Sequence, residues 1–428
     1  MELKQVIFIV YLLTMLGLFA WTAQKIFAFF KATKPTDRFD NTPTRLMWAL
    51  KEAIGQTKMF KFTFAGTLHA LLFWGFMIIT LGTAEMVMDG VLGTDRVLAF
   101  LGPVYSAITA TGEIFAIIII LSCFIFLGRR YLAPPARFLS KEMKPKSRND
   151  ATFILGMILI LMFSLLGMNM AYVDIYGGTP EFAGSYPFSE MVNQSFSDPH
   201  LAYEVCWWIH IALVLIFLNI LPYSKHFHVL LSIPNVFFKK LDVFGKISNM
   251  PEVTNEVKIA MGLAQATPDM PSPSRFGVKD VEDVTWKNLM DSYTCTECGR
   301  CTANCPANIT GKKLSPRKLF IDLRARMTEK GPGLVKDKSF SDNKNLFDRI
   351  DPEELWACTT CAACMEECPV DIEHIPFIID LRRFLVMEES KAPAQLNSMF
   401  ANIENNGAPW AMPASSRFDW ANDIQINN

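Results

Sequence analysis

The chain has 428 residues, 51% of them hydrophobic, and 41 Lys and Arg set against 42 Asp and Glu give a formal net charge of -1. That balance excludes an ordinary nucleic-acid binder, which would carry a basic footprint. Apolar residues crowd the first 240 positions, whereas charged residues, Asn and Pro dominate afterwards, so the length divides between two unlike parts.

Five apolar segments lie in the first part, at residues 6–29, 60–88, 98–128, 151–176 and 201–222. Each reaches the roughly 20 residues needed to cross a hydrocarbon core as a helix. The first is too long for a signal peptide. Its leading "MELKQ" has no net positive charge, and no small-x-small cleavage site follows, so it reads as a retained anchor.

Lys31, Lys34, Arg38, Arg45, Lys51 and Lys58 follow the first span. Arg129, Arg130, Arg137, Lys141, Lys144, Lys146 and Arg148 follow the third. Residues 177–201 contain no Lys or Arg. The positive-inside rule then places the N-terminus outside and, after five crossings, the C-terminal half in the cytoplasm. The stretch "LPYSKHFHVLLSIPNVFFKK" (221–240) mixes aromatics with lysines and suits the membrane surface.

Two of six histidines fall inside spans, His69 in the second and His210 in the fifth. Polar side chains in hydrocarbon are functional hypotheses by default. Imidazoles on two helices are axial ligands for haem b, against the simpler reading of histidines satisfied by a neighbouring helix. His228, with Met59 as partner, offers a second haem. Met59 lies ten residues before His69, about 15 Å of helix, and His228 lies eighteen after His210, about 27 Å. Straight upright helices cannot level both pairs, and depth alone also permits His69 to pair with His226 or His228. Glu85 and Glu113 are candidates for proton relay, or simple helix-end carboxylates.

Eight of ten cysteines fall in "CTECGRCTANCP" (295–306) and "CTTCAACMEECP" (358–369). Cys123 and Cys206, inside apolar spans, read as small buried hydrophobes. The spacing C-x2-C-x2-C-x3-C-P, twice, is that of a two-cluster [4Fe–4S] protein, in which the Cys before Pro serves the other cluster. Cluster one is therefore expected on Cys295, Cys298, Cys301 and Cys368. Cluster two is expected on Cys358, Cys361, Cys364 and Cys305. Structural zinc is the weaker alternative.

Between the runs, "SPRKLFIDLRARM" (315–327) has helical spacing and a Ser–Pro start. The long insertion around it is a candidate docking surface. "IPFIIDLRRFLVMEE" again favours helix. The expected domains are 1–240 in the membrane, 241–285 as linker and interfacial segment, 286–389 for the clusters and 390–428 as an extended partner-binding tail carrying Trp410 and Trp420. The fold class is an all-α membrane domain of five helices fused to an α-helical, ferredoxin-like two-cluster domain. No dinucleotide fingerprint, P-loop or nucleophile triad appears, so the organic or flavin chemistry is expected on a partner chain.

The membrane half resembles the gamma subunit of respiratory nitrate reductases, a five-helix cytochrome b that exchanges electrons with quinol. Under that resemblance His69 and His210 match the outer-haem ligands and His228 one inner-haem ligand, with Met59 at its partner's position. Through "AGTLHALLFWGF", "LPYSKHFHVLLSIPNVFF", "DSYTCTECGRCTANCPA" and "NIENNGAPWAMP" the whole chain resembles membrane-bound heterodisulfide-reductase-related iron–sulfur proteins. Some relatives join electron-transfer flavoprotein to menaquinone, and longer ones continue into CCG domains absent from this sequence.

The resemblance implies an electron-transfer subunit of a quinone-linked oxidoreductase in the inner (cytoplasmic) membrane. It would carry two [4Fe–4S] clusters and haem b, use menaquinone as substrate, and work with a CCG-domain subunit or electron-transfer flavoprotein. Alternatives are a scaffold and docking subunit of a larger respiratory complex, and a quinol-oxidising subunit feeding a heterodisulfide-type reductase.

Overall fold

The computed structural model describes residues 2–140, 142–192, 194–265, 275–422 and 424. Lys141, one of the basic residues after the third span, lies outside them, as do parts of the expected linker and tail. The first part of the chain forms α1 (Leu3–Lys31), short α2 (Thr42–Trp48), α3 (Thr63–Leu92), α4 (Pro103–Tyr131), α5 (Pro145–Tyr176), short α6 (Pro187–Met191) and α7 (Pro199–Ile220). The five long helices, α1, α3, α4, α5 and α7, are the membrane-spanning ones.

Their starts follow local chemistry. Proline occupies the first turn of α4, α5 and α7, where a missing N–H costs nothing. Asp198 caps α7 by accepting from the Leu201 N–H at 3.0 Å. α3 begins later than its apolar run because residues 56–62 form turns that fold back onto it. A Cβ at Gly66 would sit 1.9 Å from the Met59 carbonyl oxygen, so only glycine allows that approach.

The bundle closes on side chains from neighbouring helices. Ile79 of α3, Ala116, Ile119 and Cys123 of α4, and Leu161, Met162 and Leu166 of α5 form one cluster. Phe8, Met86, Met168, Trp207 and Ile211 form another. Cys123 is thus a buried apolar filler, as its surroundings suggested. The Cys206 sulfur would lie 2.8 Å from a Cβ at Gly167, marking a close approach of α5 and α7.

Beyond the spans come α8 (His228–Phe237), α9 (Pro251–Ala260), α10 (Trp286–Thr294), α11 (Arg300–Ala303), α12 (Pro306–Ile309), α13 (Pro316–Lys336), α14 (Pro352–Trp356), α15 (Ala363–Glu366), α16 (His374–Met387) and α17 (Ala394–Asn406). Among the described residues no sheet occurs, only an isolated parallel bridge between Lys34 and Thr285. The protein is all-α, as expected.

Residues 1–246 and 280–375 form one compact unit. Within it the basic loops meet the cysteine segment. Arg38 pairs with Glu373 at 2.7 Å, Lys58 with Asp371, Lys61 with Glu367, and Arg317 with Glu142 at 2.7 Å. The stretch expected at the membrane surface packs on α10 through α8. There the buried Asn235 donates to Asp291 at 2.9 Å and to the Val370 carbonyl at 2.7 Å.

α13 starts at the anticipated Ser315 cap, which accepts from the Lys318 N–H. Leu319, Phe320, Leu323 and Met327 are fully buried, so the helical part of the insertion is core rather than the docking surface its length suggested. A periodic apolar stripe needs a face to cover it, and α13 finds it against α10.

Residues 247–279 and 376–428 form the second unit. There Gly277, at φ +73°, lets the Val278 N–H reach the Asp380 carbonyl at 3.0 Å. Trp410, Phe418 and Trp420 in its tail stand largely exposed.

Candidate redox site at the end of the helix bundle

The two cysteine runs wind alike. Residues two and four positions after the first cysteine take positive φ in both: Glu297 at 57° and Gly299 at 73°, Thr360 at 54° and Ala362 at 62°. Alternating right- and left-handed backbone turns successive N–H groups inward, a concavity that suits anionic iron–sulfur groups. Only Gly299 announced this in the sequence; the other three accept a conformation disfavoured for side-chain-bearing residues.

The thiols fall into two sets, and the sets cross. Cys298, Cys295, Cys368 and Cys364 all act electrostatically on Cys301. Cys358, Cys305 and Cys361 bear on Cys364. Cys368 of the second run thus acts on a thiol of the first, and Cys305 of the first on a thiol of the second. Among the described residues no three Cys, His, Asp or Glu side chains converge tightly enough for a single metal ion; the grouping is that of a wider cradle.

Burial pushes the thiols of Cys295 and Cys364 up to about 12, and those of Cys301 and Cys368 further. Buried thiolates need a cationic partner, and iron supplies one. Cys361 alone is exposed; Cys298 and Cys358 are partly so. These residues fit a pair of four-iron clusters.

His69 and His228 sit at the same end. The ring of His69 lies 6.4 Å from that of His228, with the planes inclined by 30°. Two imidazoles bonded to one metal at about 2 Å each would have centroids roughly 6 Å apart, so the spacing admits a shared ion. Nδ1 of His228 lies 3.1 Å from the Lys225 carbonyl, which fixes the proton there and leaves Nε2 as the free lone pair. Nδ1 of His69 is buried without a hydrogen-bond partner among the described residues.

His210 is buried on α7, its Nδ1 3.0 Å from the Leu161 carbonyl and 3.2 Å from Ser164 Oγ on α5. The nearest imidazole to His69 is thus His228, where the resemblance had set His210.

Met59 is engaged elsewhere. Its sulfur accepts from Arg300 Nη2 at 3.7 Å, while Arg300 Nη1 donates to the Lys58 carbonyl at 3.1 Å. The same guanidinium lies 4.6 Å from the Phe62 ring centroid. It is coupled electrostatically to Cys298, Cys368 and His69. Nothing in the sequence singled out Arg300, because its partners Lys58 and Met59 are 242 and 241 residues away.

Glu85 and Glu113 lie at the opposite end of the bundle. Glu85 accepts from the Leu98 N–H and the Tyr105 hydroxyl, each at 3.0 Å. Glu113 caps α6, accepting from Phe188 N–H at 2.8 Å and Ser189 N–H at 3.3 Å.

Residues 294–372 match the model of the 4Fe-4S dicluster domain. The chain is a membrane-embedded iron–sulfur protein of oxidoreductase character.

It is related to heterodisulfide reductase and electron-transfer flavoprotein:quinone oxidoreductase proteins. It is 31% identical to the probable iron-sulfur-binding oxidoreductase FadF of Bacillus subtilis, over 86% of this chain and 54% of that one. It is 26% identical to EtfAB:quinone oxidoreductase of Syntrophomonas wolfei, over 87% and 53%. One subunit of the ferredoxin/F(420)H(2)-dependent CoB-CoM heterodisulfide reductase of Methanosarcina acetivorans is 32% identical over 24% of this chain and 52% of its own. The chain spans about half the length of these curated relatives. No solved structure matches it.

Proposed function

We propose that this chain is the electron-transfer subunit of a quinone-linked oxidoreductase, passing electrons between a cytoplasmic redox partner and the menaquinone pool. The observation that carries the reading is Arg300, which stands in the first cysteine run between Cys298 and Cys301 and binds the Lys58 carbonyl and the Met59 sulfur just ahead of the helix that carries His69. When bound, two [4Fe–4S] clusters and haem b would supply the one-electron steps. Each menaquinone taken to menaquinol consumes two electrons and two protons.

The protein's own work is placement. The crossed thiols would hold two clusters, and the ion pairs between the basic loops and the cysteine segment join that segment to the bundle. For the haem, the spacing of their rings supports His69 and His228 as residues that would hold it. His210, its Nδ1 tied to a carbonyl, offers Nε2 to a second haem. Met59, bonded to Arg300, is the weaker ligand.

The division at residues 240, 285 and 389, a cytoplasmic iron–sulfur domain, a CCG-domain subunit and electron-transfer flavoprotein as partners, and an inner-membrane location belong to the same proposal. The likeness to EtfAB:quinone oxidoreductase supports the flavoprotein and quinone; the likeness to a heterodisulfide reductase supports a second reading with the flow reversed.

Anaerobic iron and haem quantification with an optical redox titration tests it. About eight non-haem irons per chain with b-type haem are expected. Iron without haem would reduce the bundle to an anchor or quinone module.

A further inference from the structure

At the end of the bundle away from the cysteine runs, α3, α4 and α5 enclose a cleft of about 490 Å³, counting the part open to the surroundings. Ile78, Ile79, Ile108 and Leu165 make its walls apolar, and Leu81 on its lining is half exposed on the outer face of the bundle, where lipid would lie.

Arg96 enters this apolar space. Its guanidinium stacks on Tyr172 and Tyr186, 4.4 and 5.3 Å from the ring centroids. Yet Nε and Nη2 are buried and donate to no acceptor among the described residues. Buried charged donors left unmatched are costly, so such a pair of N–H groups points to a ligand oxygen. Glu85 lies beside it with the Tyr105 hydroxyl at 3.0 Å, and Glu113 lines the same cleft.

We propose that this cleft is a menaquinone headgroup site in which Arg96 donates to a quinone carbonyl oxygen. Two carboxyl groups on the lining disfavour an anion such as a lipid phosphate, whereas a neutral carbonyl accepts from Arg96 without meeting repulsion. A ring with a prenyl tail also matches apolar walls that reach the lipid-facing surface. The inference rests on the quinone part of the proposed function and adds the place of binding.

Gly82 and Gly112 line the cleft, and a Cβ at either would meet nothing within 4 Å. A side chain at Gly112 therefore starts into open space on the cleft lining. The test is menaquinone-4 binding to the full chain in phosphatidylglycerol–phosphatidylethanolamine nanodiscs, read by tryptophan quenching, with iron content as the check on folding.

Arg96→Gln is expected to weaken binding about tenfold or more, the size of one charge-assisted hydrogen bond, and Gly112→Leu to abolish it, both at unchanged iron content. Wild-type affinity in Gly112→Leu would overturn the site and leave the quinone-linked reading standing. No binding by the wild-type chain would overturn both.

Discussion

Arg300 donates to the sulfur of Met59 at 3.7 Å, so the thioether expected as a metal ligand is held by a guanidinium from the first cysteine run. The contact ties the turn before α3 to the helix that follows Cys298. It predicts that Met59→Leu leaves the haem content of the purified chain unchanged. His69→Ala and His228→Ala should each lower it, and the double variant no further, because groups acting at one site are not additive. Pyridine-haemochrome spectra on the four samples decide the matter. Additive losses would mean that the two histidines serve different haems.

The crossed thiols make a second prediction. Cys305→Ser should disturb the cluster held by Cys358, Cys361 and Cys364, and Cys368→Ser the one held by Cys295, Cys298 and Cys301. Low-temperature paramagnetic resonance of the reduced protein would show which signal is altered. Because Cys361 is exposed while Cys295, Cys301 and Cys368 are buried, brief exposure to air should bleach the signal sensitive to Cys305→Ser first. The reverse order would contradict the burial argument.

Glu52 lies buried between Lys239, at 2.8 Å, and Lys58. Burial, followed by the Asp371 carboxylate beside it, pushes its pKa up to about 7. The folded state then holds the proton more tightly than the unfolded chain. Stability from this group accordingly falls as pH rises from the ordinary carboxylate range toward 7. Glu52→Gln keeps an acceptor for Lys239 and removes the titration. Thermal unfolding between about pH 5 and about pH 7.5 should show a steeper loss in the wild type. Parallel slopes would show that Glu52 keeps its charge throughout.

Arg326 on α13 is buried, and its Nη2 reaches Asp280 and Asp342, each at 2.7 Å. Lys330 shares Asp280 at 2.9 Å. Arg326→Met strands a buried carboxylate on one remaining cation, at a cost of about 3 kcal/mol, the low end for breaking a buried pair. A lower unfolding midpoint is expected. Arg326→Lys should recover only part of it, since a single ammonium cannot serve both carboxylates with the guanidinium's fork. Equal midpoints for wild type and Arg326→Met would show that Lys330 suffices.

Five spans and the two cysteine runs of a 4Fe-4S dicluster domain were legible in the amino-acid sequence. Each depends on a pattern written locally: a hydrophobic length matched to the bilayer, or a spacing matched to a cluster. The Ser315 start of α13 was legible for the same reason, a cap and a proline standing next to each other.

What the tertiary structure decided are meetings between residues far apart in the chain. His69 faces His228 because the turns after α7 bring His228 to the end of α3, and no helical spacing encodes that bend. Arg300 touches Met59, and Asn235 bridges Asp291 and Val370, only once the cysteine segment folds back onto the bundle. The cleft around Arg96 exists because α3, α4 and α5 leave their walls apolar and one guanidinium unmatched. Local sequence sets which helices form and where the cysteine runs lie. Packing sets which helix ends meet, because buried polar groups must find their partners across the fold.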